Sequence, residues 1–469
     1  MLLRPTQLLV SAEAPFENDL LSRSEVSDVL TELVRNSAEG LVVSLHSPWG
    51  GGKSTFLRMW RGHLSLHGIR SLMFNAWETD FNDDPLVALI GELESGLKEV
   101  VGAADSESHG TLQSTLKNIK RASASILKRS LPVAIKVGTF GILDTDELTE
   151  EAAGSFAERV AEERISTYTA SKHSVVKLRE AIAQAAATTE KSDEHPTPFV
   201  FVIDELDRCR PDYAVRLLEC VKHFFAVPGV VYVVAIDREQ LSHSVKRAYG
   251  EGMDARGYLR RFFDIELSLP EPENDSFLRA QFDRFGLTKA FQERSGSWQS
   301  NNDQQNVSES FWALFRVFSC SLRDQERCFT LLSFALKSTP RNHIFDSHLI
   351  SFLIVLKVKA PDLYRNFTRT EITVSELLQR VGDRFDIREF WRSEESELLE
   401  SLLRCSTFGS ADAQTLLNQT LSISRRQPEN AESARAKKIL AILQDPGVQR
   451  TAFGVLRRAS SKLDLMKFR

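Results

Sequence analysis

The chain has 469 residues, 42% of them hydrophobic and 26% charged, a balance that excludes a wholly disordered or fibrous protein and suits two or three globular domains. Its 59 basic and 64 acidic residues leave a net charge of −5, so there is no global electrostatic pull toward a polyanion or an anionic membrane. Five scattered cysteines without zinc-site spacing read as reduced thiols in a cytoplasmic protein.

In chain order, the amino-terminal apolar run is broken by Arg4 and Pro5 and makes a poor signal peptide. Apolar residues at Val26, Val29, Leu30, Leu33 and Val34 predict a helix over Ser24 to Val34. It packs either against a sheet or beside the loop that follows. Leu41 to Leu45 (LVVSL) is a β-rich run; SPWGGGKST and the helical FLRMWRGHL come next. Strand, glycine loop and helix in succession are the context of a phosphate-binding loop. Ser71 to Phe74 predicts a second strand ending at Asn75, Ala76 and Trp77, and Pro85 opens a helix through Leu86, Leu89, Ile90, Leu93 and Leu97.

Residues of about 99–198 read as a helical insertion, with Val175, Leu178, Ile182 and Ala186 at helical spacing. Its apolar run Leu131 to Leu143 has 13 residues and contains Lys136, whereas about 20 are needed to span a bilayer; no transmembrane helix is expected. Phe199 to Ile203 (FVFVI) and Val230 to Ile236 (VVYVVAI) are continuous apolar strands suited to a parallel sheet. The helix between them, through Leu217, Leu218, Val221, Phe224 and Phe225, completes a βαβ unit.

The sheet domain ends after Phe262 to Leu269, before Pro270 and Pro272. The expected fold is α/β: a P-loop parallel sheet with helices on both faces over residues 1–270, including the insertion, and a mainly helical domain over 271–469. The tail from Arg450 to Arg469 carries six Arg/Lys against Asp464 alone. It is either a plain solvated helix or a surface for a partner or nucleic acid.

The chemistry concentrates in a few segments. Gly50, Gly51 and Gly52 let main-chain N–H groups turn toward phosphate oxygens, and the following helix adds its positive end. Lys53 is placed to neutralise β/γ charge, Ser54 to ligate Mg²⁺, and Thr55 to assist. Ser47 stands where the usual pattern has its first glycine. Trp49 either covers the loop as a lid or fills a neighbouring core gap. In FVFVIDELDRC, Asp204 is the metal-organising carboxylate and Glu205 the group that orients water or accepts its proton. Asp207 either orients Arg208, pairs locally, or meets a partner subunit; Cys209 packs. Asp237 closes the next strand, where it is a candidate to hold the water or relay nucleotide state. Arg260, Arg261 and Arg323 are candidate phosphate sensors, acting in cis or from a partner.

Together these pieces resemble the KAP family of P-loop nucleotide triphosphatases, a branch near the STAND and AAA-like ATPases. The resemblance runs over about residues 15–340 through FENDLLSRSEV with Asp19 and Arg23, SPWGGGKST, FNAWETD, FVFVIDELDRCRP, VVYVVAIDREQL and YLRRFFDIELSLP, and more loosely SLRDQERC with Arg323 and Arg327. It implies ATP as the nucleotide, Mg²⁺-dependent hydrolysis used as a conformational or assembly switch, and homo-oligomers or protein effectors as partners. Many members carry transmembrane helices in the insertion, which is too polar here. Prokaryotic members are often encoded near other defence proteins, which implies an anti-phage role. The alternative is a scaffold that nucleotide stabilises with little hydrolysis.

Overall fold

The computed structural model describes residues 10–102, 113–124, 173–187 and 198–465, apart from short stretches within these ranges. The chain divides into two compact units, Leu9–Pro270 and one holding Glu271–Arg469. Among the described residues the first contains five strands, β1 (Leu41–His46), β2 (Ser71–Asn75), β3 (Phe199–Asp204), β4 (Val230–Ile236) and β5 (Ile265–Ser268). Its helices are α1 (Ser24–Arg35), α2 (Lys53–Leu66), α3 (Ala76–Thr79), α4 (Pro85–Gly102), α5 (Pro211–Cys220), α6 (Arg238–Tyr249) and α7 (Ala255–Leu259). All strand pairings are parallel, in the order β2-β3-β4-β1-β5.

Successive residues of a strand point to opposite faces, so each central strand feeds two cores. Val43, Leu45, Val200, Val202, Val231 and Val233 pack on one face against α1 and α2, through Leu30, Val34, Phe56, Leu57, Trp60 and Leu64. Val42, Phe201, Ile203, Tyr232 and Val234 face the other way, where α4, α5, α6 and α7 cover them. Every residue of β3 and β4 is buried, which is why those segments read as unbroken apolar runs rather than alternating ones. The indole of the fully buried Trp60 donates to Thr31 Oγ1 at 3.1 Å, joining α2 to α1.

Two details differ from the helical spacing. Val29 of α1 is 62% exposed, and the helix buries Leu30 and Val34 together with Ser27 and Thr31. The helix after β3 begins at Pro211 and widens into a π turn over Val221–Phe225. Within the insertion, residues 113–122 and 173–184 are helical, and Leu116, Ile119, Leu178 and Ile182 join the α4/α5 core. The apolar run Leu131 to Leu143 lies outside the described residues. Among the described residues no helix is long and apolar enough to cross a membrane.

Gly40, just before β1, offers a stability test. A Cβ there would collide with the backbone carbonyl of Val227, which cannot rotate away as a side chain would. Gly40→Ala is expected to destabilise the fold by about 1–3 kcal/mol, read as a lowered midpoint in thermal or urea unfolding.

Among its described residues the regular structure of the second unit is all helical. Helices Asp303–Val317, Leu322–Ser338 and Ser347–Lys359 contribute Phe311, Phe315, Phe329 and Phe352 to its centre. Ser347–Lys359 is buried continuously from Leu349 to Leu356, as expected of a helix surrounded by others. The basic tail corrects its sequence reading. In helix Leu456–Asp464, Leu456, Ala459 and Leu463 form one stripe and enter the same core. Lys462 Nζ donates to Thr339 Oγ1 at 2.7 Å, and Tyr364 Oη donates to Asp464 Oδ1 at 2.9 Å. The tail helix is therefore docked on one face rather than solvated all round, with Arg457 and Arg458 exposed on the other.

Candidate nucleotide-binding site

In the strand order, β4 lies between β1 and β3. The loop after β1, the carboxylate ending β3 and Asp237 after β4 are thereby gathered at the carboxyl edge of one sheet, where open α/β sheets bind ligands. The loop starts from Ser47, whose N–H donates to the Ile236 carbonyl at 3.1 Å. It then needs two left-handed residues, supplied by Gly50 at φ 79° and Gly52 at φ 84°, where a side chain would be strained. Ser47 is not left-handed, so no glycine is required there. Its hydroxyl occupies space that a Cβ on Gly51 would invade, so Ser47 and Gly51 fit as a pair.

The amides of Gly50, Gly52, Lys53, Ser54 and Thr55 have no acceptor among the described residues. Those of Lys53, Ser54 and Thr55 belong to the first turn of α2, whose N–H groups carry the positive end of the helix. Arg23 orients the loop from behind. Its guanidinium, in a residue only 2% exposed, donates from Nη1 to the Gly51 carbonyl at 2.8 Å and from Nη2 to the Pro270 carbonyl at 3.0 Å. In a planar trans peptide the C=O and N–H point oppositely, so fixing the Gly51 carbonyl on Arg23 turns the Gly52 N–H the other way. Burial lowers the Arg23 pKa to about 10, against the raising effect of Asp19.

Lys53 is 8% exposed. Its Nζ donates to the Ser47 carbonyl at 2.5 Å and lies 3.6 Å from Asp207 Oδ2. Burial draws the ammonium below the usual lysine range, opposed by Asp207, Asp237 and Asp204; burial likewise lifts Asp207 above the carboxylate range, opposed first by Lys53.

At the end of β3, Asp204 is 3% exposed. Its Oδ1 accepts the Glu205 N–H at 2.8 Å, and its Oδ2 has no hydrogen-bond donor among the described residues. The half-buried Ser54 hydroxyl also has no partner among them. A carboxylate oxygen and a hydroxyl left uncommitted beside a phosphate cradle are hard oxygen donors that fit a divalent cation such as Mg²⁺.

Glu205 leaves the strand line at φ 60°, a backbone conformation uncommon outside glycine, and its carboxylate pairs with Arg208 Nη1 at 2.6 Å. The Arg208 guanidinium in turn sits 5.7 Å from the ring centroid of Trp77. Arg208 is thus the partner of Glu205, and Asp207 turns the other way. Asp207 Oδ2 accepts the Trp49 indole N–H at 2.9 Å and the Asp237 N–H at 2.6 Å. Asp237 takes the Trp49 backbone N–H on Oδ2 at 2.9 Å and caps α6 through Oδ1, from Glu239 and Gln240. Trp49 is 44% exposed, which rules out the core-filling role. Cys209 is buried in the sheet core and its thiol is pushed up by burial, so it stays protonated and packs.

A sequence profile described as the KAP family P-loop domain matches residues 23–342, well over half of the chain. The chain belongs to the KAP family of P-loop NTPases. The KAP match continues past Pro270 into the helical unit. Over 226 residues the chain is also 22% identical to the Phage T7 exclusion protein of Escherichia coli (strain K12), a stretch covering 47% of this chain and 28% of that protein. This chain therefore matches little more than a quarter of that relative's length.

The KAP fold brings Trp49, Gly50, Gly51, Gly52, Lys53, Ser54, Thr55, Asp204, Glu205 and Asp237 to one sheet edge. It does not bring Arg260 and Arg261 there. They follow α7 and precede Asp264, whose carboxylate accepts the N–H of Val42 at the start of β1. In a parallel sheet that is the edge opposite the loop, so the in-cis sensing role is corrected. Both arginines are exposed, and their side chains have no partner among the described residues. Arg323 is exposed near the start of helix Leu322–Ser338, in the other compact unit. The sequence marks Arg23 through the resemblance and Asp207 through its motif, but the contacts of Arg23 with the loop and of Asp207 with Trp49 are not legible in it.

Proposed function

We propose that this KAP domain binds ATP with Mg²⁺ and hydrolyses it, and that the cycle serves as a conformational or assembly switch. The carrying observation is the set of five amides, from Gly50 and from Gly52 to Thr55, that lack acceptors among the described residues beside the Lys53 ammonium. Donors of this density suit a triphosphate tail. Ser54 and Asp204 would hold the Mg²⁺, which when bound neutralises charge developing on the phosphates. Glu205 would orient the attacking water or take its proton. The choice of ATP over GTP follows the family resemblance.

One observation favours a second reading. Glu205 is engaged by Arg208 at 2.6 Å, so in this conformation the base is occupied, as suits a nucleotide-stabilised scaffold with little turnover. A partner-supplied phosphate-sensing role for Arg260 and Arg261, exposed at the far sheet edge, would require a homo-oligomer. Similarity to a protein named for phage exclusion supports a role in phage defence; a protein effector follows only the family resemblance, and a cytoplasmic location only that resemblance and the scattered cysteines.

The test is calorimetric titration of the full chain with ATP and Mg²⁺, paired with phosphate release. Saturable uptake and release that stops on chelation with EDTA are expected. Uptake and nucleotide-dependent oligomerisation without release would select the scaffold. Failure to take up any nucleoside triphosphate would overturn both.

A further inference from the structure

We infer that Asp207 is a positioning residue that clamps the phosphate loop through the Trp49 indole and senses whether Lys53 is engaged by phosphate. The inference deepens the proposed function and rests on nucleotide occupying this loop.

A single oxygen, Asp207 Oδ2, meets three parts of the site. It accepts the Trp49 indole N–H at 2.9 Å and the Asp237 N–H at 2.6 Å, and lies 3.6 Å from Lys53 Nζ. The side chain is only 2% exposed, and it comes from the tight turn Leu206–Arg208 after β3. One buried carboxylate thus links the loop, the loop lysine and the end of β4. Trp49 is held twice, by its backbone N–H on Asp237 and its indole N–H on Asp207. With 44% of the residue exposed, the ring contributes little as core. What tryptophan supplies here, and phenylalanine would not, is the N–H.

The distances decide which role of Asp207 dominates. The two N–H groups bind at 2.9 and 2.6 Å, while Lys53 is 3.6 Å away and closer to the Ser47 carbonyl, at 2.5 Å. Removing Asp207 therefore loses more by loosening the loop than it gains by freeing the ammonium for phosphate. A β/γ phosphate competes for the same ammonium. As Lys53 turns toward phosphate, Asp207 is left with its two N–H donors, and its hydrogen bond to the indole changes with occupancy.

The test uses the full chain and four variants: Trp49→Phe, Asp207→Ala, the double variant and Asp207→Asn. Titration with ATP and Mg²⁺ is read by calorimetry, steady-state kinetics and tryptophan emission, with Trp49→Phe giving the background of the other tryptophans. Each single removal is expected to raise KM and Kd roughly 10- to 100-fold, the effect of one hydrogen bond to a charged group, with kcat nearly unchanged. The double variant should be no weaker than the worse single, because both remove the same contact. Asp207→Asn keeps an acceptor and should restore part of the affinity and the nucleotide-dependent change in Trp49 emission that Asp207→Ala abolishes.

Unaltered affinity in Trp49→Phe, or losses that add in the double variant, would overturn the clamp while leaving nucleotide binding standing. Trp49→Phe changes a half-exposed residue, so it keeps the test decisive if Asp207→Ala fails to fold. If the unaltered chain takes up no nucleotide, the clamp and the function beneath it fall together.

Discussion

Lys53→Ala is expected to weaken nucleotide binding by roughly 100- to 1,000-fold, about 3–4 kcal/mol, the cost of removing one charge from a buried charge pair. Calorimetry with Mg²⁺ and ATP is the measurement. The magnitude follows from the position of Nζ, which is buried and held at 2.5 Å by the Ser47 carbonyl, so it is already desolvated and placed before ligand arrives. The five loop and helix amides would remain, and they account for weak residual uptake. Asp207 keeps its N–H donors from Trp49 and Asp237 when the ammonium is gone, but it loses its buried cation, so thermal unfolding of the variant is read alongside to separate lost stability from lost affinity. Nucleotide affinity equal to that of the unaltered chain would show that the phosphates lie elsewhere.

Glu205→Gln should do the reverse: affinity is kept while turnover falls roughly 100- to 10,000-fold, the range for a lost general base. Single-turnover phosphate release separates the two effects. Glutamine is the informative replacement because its amide oxygen can still accept the Arg208 N–H that Glu205 receives at 2.6 Å. The turn at φ 60° would keep its side-chain anchor, so only proton acceptance is lost. If turnover persists at the unaltered rate, Glu205 is a strand-end carboxylate held by Arg208, and the water is activated by another group.

The α/β architecture was legible because its signals are local. LVVSL followed by a glycine-rich turn and an amphipathic helix encodes β1, the loop and α2 within one short stretch. FVFVI and VVYVVAI read as strands buried on both faces, short and rich in β-branched and aromatic residues. The α1 helix was legible in extent and, for Val26, Leu30, Leu33 and Val34, in face; Val29 alone fits the apolar spacing yet points to solvent at 62% exposure. The tail's charge was equally misleading: six basic residues obscured the stripe of Leu456, Ala459 and Leu463 that docks it.

The sequence by itself determined which backbone could turn left-handed at Gly50 and Gly52, where a strand ends in acid at Asp204, and that the pieces resemble KAP P-loop NTPases. Those properties reside in single residues and their neighbours. Only the tertiary structure decided that β4 separates β1 from β3, that Arg260 and Arg261 sit at the far edge, and that Asp207 grips Trp49, 158 positions earlier. The reason is that parallel strands join residues remote in the chain, so hydrogen-bond partners at the sheet edge follow from strand order, which no local pattern encodes.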